Sequence, residues 1–278
     1  MKNTRTTLVL GGNGKTGRRV VDQLLKRGMP VRVGSRTGDP AFNWEDPSTW
    51  PAVLEDVGAV YIAYYPDLAV PGAVDTIQAF TDLALSVHAR RLVLLSGRGE
   101  EEAQQAEQVL QDSNADWTIL RCSWFAQNFS ENFLLESVLN GEVVLPVGDV
   151  GEPFVDADDI ADVAVAALTD DRHIGHLYEL TGPRLLTFSE AVKEISKGTG
   201  RDIRYVQVSA ETYATALEQA GLPADFQWLI NYLFNTVLDG RNATLANGVQ
   251  QALGRPPRDF SDYVAKTTKD GVWNPVLA

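Results

Sequence analysis

Short apolar runs alternate with amphipathic stretches through the first two-thirds of the chain. Extended runs fall at Thr7–Leu10, Pro30–Gly34, Ala59–Ala63, Arg91–Ser96 and Trp117–Arg121. Between them, helical spacing appears at Lys15–Arg27, Pro71–Val87 and Glu101–Gln111, the first with Val20, Val21, Leu24 and Leu25 on one face. Strands alternating with helices in this way build a parallel sheet covered by helices on both faces. Pro153–Val155 and His176–Leu180 also read as extended. Between them Asp158 is placed to cap a helix with apolar positions Ile160, Val163, Ala164 and Ala167. From Thr187 helices dominate, at Phe188–Gly198, Ala210–Ala220, Phe226–Leu238, Leu245–Leu253 and Phe260–Thr267, with one strand at Ile203–Val208 and Gly and Pro at the joints. The pattern predicts a doubly wound α/β domain over residues 1–182 and a smaller, mostly helical substrate-binding lobe over 183–278. The lobe is expected over the sheet's carboxyl edge, where open α/β sheets bind ligands, with 122–155 contributing to the cleft.

The turn after the first strand carries chemistry. Gly11, Gly12, Asn13, Gly14, Lys15, Thr16 and Gly17 contain three glycines, 12, 14 and 17, in G-x-G-x-x-G spacing between a strand and a helix. Such glycines make a tight turn, admit a pyrophosphate to the backbone and let helix and strand pack closely. The helix N-terminus then offers N–H groups and partial positive charge to the phosphates. This is a Rossmann-type dinucleotide site. Gly14-Lys15-Thr16 imitates the end of a nucleotide-triphosphatase loop, but Val9 stands where that loop needs a glycine. NAD-binding domains place an acid at the end of the second strand for the ribose 2′-OH. Here that strand ends in Ser35-Arg36-Thr37. A hydroxyl and a guanidinium suit a 2′-phosphate, so the expected cofactor is NADP(H).

Composition narrows the partners. A net charge of −13 disfavours nucleic acid and anionic membranes, which both need a basic face. The single cysteine, Cys122, forbids an internal disulfide and fits a small buried residue. No apolar run reaches membrane-span length and no signal-peptide pattern opens the chain, so a cytoplasmic protein with a small-molecule substrate is expected. Monomer and homodimer both remain open. His173 and His176 lack a ligand set with metal spacing and read as a polar turn, so no metal is expected. Glu100, Glu101 and Glu102 read as a solvated first helical turn, where acids suit the dipole. Trp228 and Tyr232 share a helix face and read as core or lobe packing.

Carbonyl-reducing Rossmann enzymes often use a Tyr-x-x-x-Lys pair, in which lysine lowers the tyrosine pKa and tyrosine protonates the alkoxide. No tyrosine here has a lysine four residues on, and no lysine lies between Lys26 and Lys193. An acceptor that is already cationic removes the need. A C=N⁺ group that takes hydride becomes a neutral amine, and the site must only orient it and tolerate its charge. Aromatic faces and carboxylates do both.

The glycine loop, Asp116–Arg121, Ser123–Ser130 and Pro153–Ala161 resemble the NmrA-like atypical short-chain dehydrogenase family. Gly182–Phe188 and Gly254–Phe260 are similar to C-terminal segments of its branch of ergot alkaloid agroclavine and festuclavine dehydrogenases. The resemblance runs nearly end to end and implies NADPH-dependent reduction of cyclic iminium intermediates in alkaloid biosynthesis. It assigns Gly11–Gly17 to the pyrophosphate, Ser35 and Arg36 to the 2′-phosphate, and Ala63, Tyr64, Ser96 and Gly97 to the strand ends beside the cofactor. It turns Trp124, Phe125 and Asn128 to the substrate, with Phe154 and Asp156 near the same opening. Tyr64, Trp124, Phe125 and Asp156 are thus the candidates for the chemistry. Cys122 departs from the family, which commonly has proline there. The same family contains NADP-binding redox sensors without turnover, and a cofactor-retaining cyclase or isomerase also fits the missing pair.

Overall fold

A computed structural model of the chain describes residues 5–131 and 133–274; the first four residues, on which the reading of the N-terminus partly rests, lie outside it. In chain order the strands and helices are β1 (Thr6–Leu10), α1 (Lys15–Lys26), β2 (Val31–Gly34), α2 (Trp50–Leu54), β3 (Val57–Ile62), α3 (Ala73–Ser86), β4 (Arg91–Gly97), α4 (Glu101–Asp112) and β5 (Asp116–Cys122). There follow α5 (Leu135–Asn140), β6 (Glu142–Leu145), α6 (Ala157–Thr169), β7 (His176–Leu180), α7 (Phe188–Thr199), β8 (Arg204–Gln207), α8 (Ala210–Gln219), α9 (Ala224–Tyr232), α10 (Gly248–Leu253) and α11 (Phe260–Lys269).

These elements group into two units, and neither is continuous in sequence. The first comprises 1–122, 157–180 and 247–255; the second comprises 123–156, 181–246 and 256–278. The expected division at 182 falls near one of five crossings. Residues 123–156 join the helical unit, while 247–255 return to the sheet unit.

In the first unit all six strands run parallel, in the order β2-β1-β3-β4-β5-β7. The chain starts at β1, steps out to β2 and returns to β3, so the order reverses between β1 and β3, where such sheets bind ligands at their carboxyl ends. Leu8, Val9 and Leu10 are fully buried, as a strand covered on both faces requires. Helix α10 packs on β7. A Cβ on its first residue, Gly248, would lie 2.3 Å from the Glu179 carbonyl oxygen, so only glycine allows the contact.

The second unit contains a two-stranded parallel ribbon, β6 with β8, and helices α5, α7, α8, α9 and α11. Its core is aromatic: the Phe129, Phe154, Phe188 and Phe260 rings lie with centroids 5.1–5.9 Å apart, mostly tilted or edge to face.

Several expected elements differ. Pro153–Val155 is not a strand. The only pairings there are single bridges, Phe125 to Val155 and Glu152 to Leu186, because proline has no N–H to extend a ladder. Helix α6 begins at Ala157, so Asp158 lies inside its first turn, where it accepts from Arg19 Nε at 2.6 Å, rather than capping it. The stretch expected as one helix over Phe226–Leu238 is α9 followed by a π-helical turn, Leu233–Val237. Residues before Gly248 are not helical: Ala246 exchanges hydrogen bonds with the Thr181 hydroxyl, which holds that backbone out of the helix.

Candidate cofactor and substrate site

The glycine loop is built by close approach. Gly11 has φ +64°, a conformation that suits glycine, and its carbonyl accepts from Gly14 N. A Cβ on Gly17 would sit 2.2 Å from the Gly11 oxygen, and one on Gly12 would meet Val33 at 2.8 Å. Gly12 and Gly17 are therefore packing glycines. Gly14 faces outward: the only neighbour its Cβ would meet is the Gly11 oxygen, at 3.1 Å. Gly14 also caps α1 without a side-chain acceptor, and no acid lies in the first turn. The N-terminus of α1 thus carries no side-chain cap and no acid of its own, and its partial positive charge fits a dinucleotide pyrophosphate. Asn13 is exposed and Lys15 half-buried beside this opening, while Thr16 is buried.

At the end of β2 the Ser35 carbonyl accepts from Gly38 N and Phe42 N, closing a turn that presents Arg36. Arg36 is exposed, and its guanidinium lies 5.7 Å from the centre of the exposed Tyr65 ring. No carboxylate partners Arg36 among the described residues. An unneutralised guanidinium at this strand end fits a 2′-phosphate. Ala63 lies against the loop, its Cβ 3.2 Å from where one on Gly11 would be. Tyr64 is half-buried against Trp44, ring centres 4.9 Å apart, and Trp44 Nε1 donates to the Ala63 carbonyl. An aromatic cluster of Phe42, Trp44, Trp50 and Phe80 backs Tyr64 and fixes its position.

Ser96 and Gly97 end β4, but the Ser96 hydroxyl is committed: it donates to Glu107 at 2.6 Å. Buried Glu107 also takes Arg121, which in turn reaches Glu179 at 3.2 Å; Arg98 adds a contact to Glu179. These side chains tie α4 and the carboxyl ends of β4, β5 and β7 together. Cys122 is buried, as expected, and burial with the nearby Glu100 and Glu107 pushes its thiol up, which makes it unreactive.

Glu100 corrects the expectation of a solvated first turn. Only 7% of it is exposed, and its carboxyl lies where a Cβ on Gly97 would be. Burial first, then the adjacent Asp67 carboxyl, push Glu100 well above the usual carboxylate range, and burial raises Asp67 too. Two carboxyls this close hold one proton between them. The run Glu100–Glu102 gave no sign of it, because Asp67 comes from a different loop.

In the second unit, Trp124 is half-buried between Phe188 and Phe234, with ring centres at 5.7 and 5.1 Å. Its backbone N–H donates to Glu152, while its indole Nε1 is buried with no hydrogen-bond partner. Phe125 is half-buried and bridges Val155; Asn128 is half-buried, its carbonyl accepting from Leu134 N. Two expectations need correction. Phe154 is 3% exposed within the phenylalanine core, which leaves it no surface for a ligand. Asp156 is buried and accepts from Gln127 Nε2 at 2.8 Å, so its carboxylate serves the loop. Trp228, expected in core or lobe contact with substrate contact as the alternative, is 44% exposed and stacked on Tyr232. His173 is buried and shares a hydrogen bond with the Tyr178 hydroxyl, and His176 stacks on the same ring. No helix among the described residues is long and apolar enough to cross a membrane.

Comparison with known proteins follows the same lines. The NAD(P)H-binding family model matches residues 11–171, and the NmrA-like family model matches residues 102–261. Festuclavine synthase II of Penicillium roqueforti (strain FM164) is 32% identical over 292 residues, covering 96% of this chain and 99% of that protein. Agroclavine dehydrogenase of Claviceps fusiformis is 31% identical over 283 residues, covering 94% and 96%. An NADPH-dependent quinone oxidoreductase from Escherichia coli, complexed with NADPH, superposes with a TM-score of 0.77 at 18% identity, over 94% of this chain and 99% of that one, a likeness of fold.

Proposed function

The chain belongs to the NmrA-like family of NAD(P)H-binding proteins, and from that premise we propose that it is an NADPH-dependent reductase of an iminium or similarly activated double bond in a small secondary metabolite. The observation that carries the proposal is the pairing of an open dinucleotide loop with the absence of any Tyr-x-x-x-Lys donor. The bound dinucleotide supplies hydride. The chain's own residues hold it: the N-terminus of α1 and the exposed Gly14 take the pyrophosphate, and Ser35 and Arg36 take the 2′-phosphate. With a C=N⁺ acceptor the π electrons move to nitrogen as hydride adds to carbon, giving a neutral amine, so no side chain need deliver a proton. In the second unit, Trp124 and Phe125 offer half-buried aromatic surface suited to a flat cation, and in the first Tyr64 offers the same beside the cofactor loop. Positioning then contributes most of the rate. The names of the two sequence relatives, a festuclavine synthase and an agroclavine dehydrogenase, support an alkaloid-like acceptor.

NADPH oxidation in the presence of cyclic aryl iminium ions, followed by absorbance, tests this reading. Turnover that depends on the iminium and favours NADPH over NADH is expected. Absence of oxidation with iminium, quinone and enone acceptors at high protein concentration overturns it. The second reading, an NADP(H)-binding sensor without turnover, draws on the engagement of Asp156 by Gln127 and the burial of Phe154. It requires tight cofactor binding in that same assay with no oxidation, and a partner gained or lost with the redox state.

A further inference from the structure

Two buried polar atoms in the second unit stand out because nothing among the described residues satisfies them. The indole Nε1 of Trp124 and the side-chain oxygen of Asn231 are both buried without a hydrogen-bond partner. Native structures rarely leave such atoms unpaired. The Tyr263 hydroxyl, by contrast, lies near Ser130 and Thr267. Trp124 and Asn231 share instead an apolar neighbour, Phe234. The Trp124 ring lies 5.1 Å from Phe234. Asn231 precedes Phe234 by three residues on one continuous helical stretch.

The surroundings are flat and aromatic. Phe133, 36% exposed, stacks on Phe234 at 5.8 Å and 29°. One turn before Asn231, the exposed Trp228 stacks on Tyr232 with the rings nearly parallel. The helix changes from α to π at Leu233, between Asn231 and Phe234. Such local expansions are frequent at functional sites.

We infer that Trp124 and Asn231 are substrate-recognition residues of the second unit, reading a planar aromatic substrate that carries both a hydrogen-bond acceptor and a hydroxyl or N–H donor. The inference rests on the reductase reading for the word substrate, and it adds the chemical class. Trp124 Nε1–H donates to the ligand's acceptor. The Asn231 oxygen accepts from its donor. The Phe133 and Phe234 rings stack with its plane. A ligand that lacks the donor leaves the Asn231 oxygen unpaired, which lowers affinity about tenfold or more.

Isothermal titration of the NADP⁺-loaded protein tests this without any need for turnover. The probes are a reduced cyclic aryl amine with a free phenol and its O-methyl ether. The wild type should bind the phenol about tenfold more tightly. Asn231→Leu should abolish that preference, and Asn231→Asp, which retains an acceptor, should keep it. Trp124→Phe retains the ring and loses the N–H; it should weaken both probes about equally and leave their ratio unchanged. Thermal melts without probe confirm that each variant is folded. Failure of the wild type to bind either probe, equal binding of the two, or a preference that survives Asn231→Leu overturns the inference. A phenol preference that follows Asn231 in a protein that never oxidises NADPH overturns the reductase reading alone.

Discussion

On the proposed reading, cofactor choice turns on Arg36. Its guanidinium has a tyrosine ring for a neighbour and no carboxylate among the described residues, so its charge is not already spent within the protein. A charge-assisted hydrogen bond to a phosphate contributes about 1.5–3 kcal/mol. Arg36→Ala should therefore raise KM for NADPH about ten- to a hundredfold and leave KM for NADH unchanged, as steady-state assays with each cofactor would show. Gly17 tests the loop in another way. A methyl there would lie 2.2 Å from the Gly11 oxygen, so Gly17→Ala must push α1 off the loop, at a cost of about 1–3 kcal/mol. Affinity for both cofactors should fall together in fluorescence titrations, unlike the selective loss at Arg36. The close approach at Gly17 and the exposed Arg36 at a strand end were legible in the sequence because they follow from local spacing: strand, glycine turn, helix, and the strand end that follows. Phe154 and Asp156 were not legible. Whether a phenylalanine faces a ligand or a core depends on Phe129, Phe188 and Phe260, which come from three other segments. Whether an aspartate is free depends on a distant glutamine.

At the scale of elements, the junction from β4 to α4 carries a pH dependence. Burial raises Glu100 well above the usual carboxylate range in the native state, whereas in the unfolded chain it titrates near its ordinary value of 4.5. Between those values the native state holds the extra proton, so stability falls as pH rises through that window. Glu100→Gln keeps a donor for Asp67 and has no proton to lose. It should melt at a higher temperature than the wild type at neutral pH, with the gap narrowing as pH falls toward 4, when both states of the wild type carry the proton. Melting curves across pH check this, and a gap that widens toward acid contradicts it. Elements held by long-range partners were the ones the pattern missed. Strand β6 is four residues long and pairs with β8, whose residues lie about sixty positions on. Helix α5 has six residues and ends at Gly141 with φ +81°. Runs this short carry too little periodicity to declare themselves, whereas β1, β4 and β5 are long and buried enough to be read directly.

For the whole molecule, the consequential fact is that the sheet unit is completed by a segment from far along the chain. A cut near 182 is the natural reading of the hydrophobic pattern, because β7 ends the strand-helix alternation there. It leaves out 247–255. In that segment Gly248 lies against the Glu179 backbone, Val249 is buried, and Arg255 pairs with Asp159 at 2.7 Å and Asp162 at 2.5 Å. Asp159 is fully buried, and removing a partner from a buried ion pair costs about 3–5 kcal/mol. Uncovering the apolar residues beneath α10 adds about 1.5–3 kcal/mol for each side chain exposed. The sum approaches the whole stability of a typical domain, roughly 5–15 kcal/mol. A fragment ending at residue 182 should therefore lack a cooperative thermal transition and should not bind NADPH, although it contains every glycine of the loop. Arg255→Ala in the full chain isolates the ionic part: it should lower the melting temperature by several degrees with cofactor affinity retained. Cooperative melting of the fragment, with NADPH affinity equal to that of the full chain, would show that the sheet unit does not depend on 247–255.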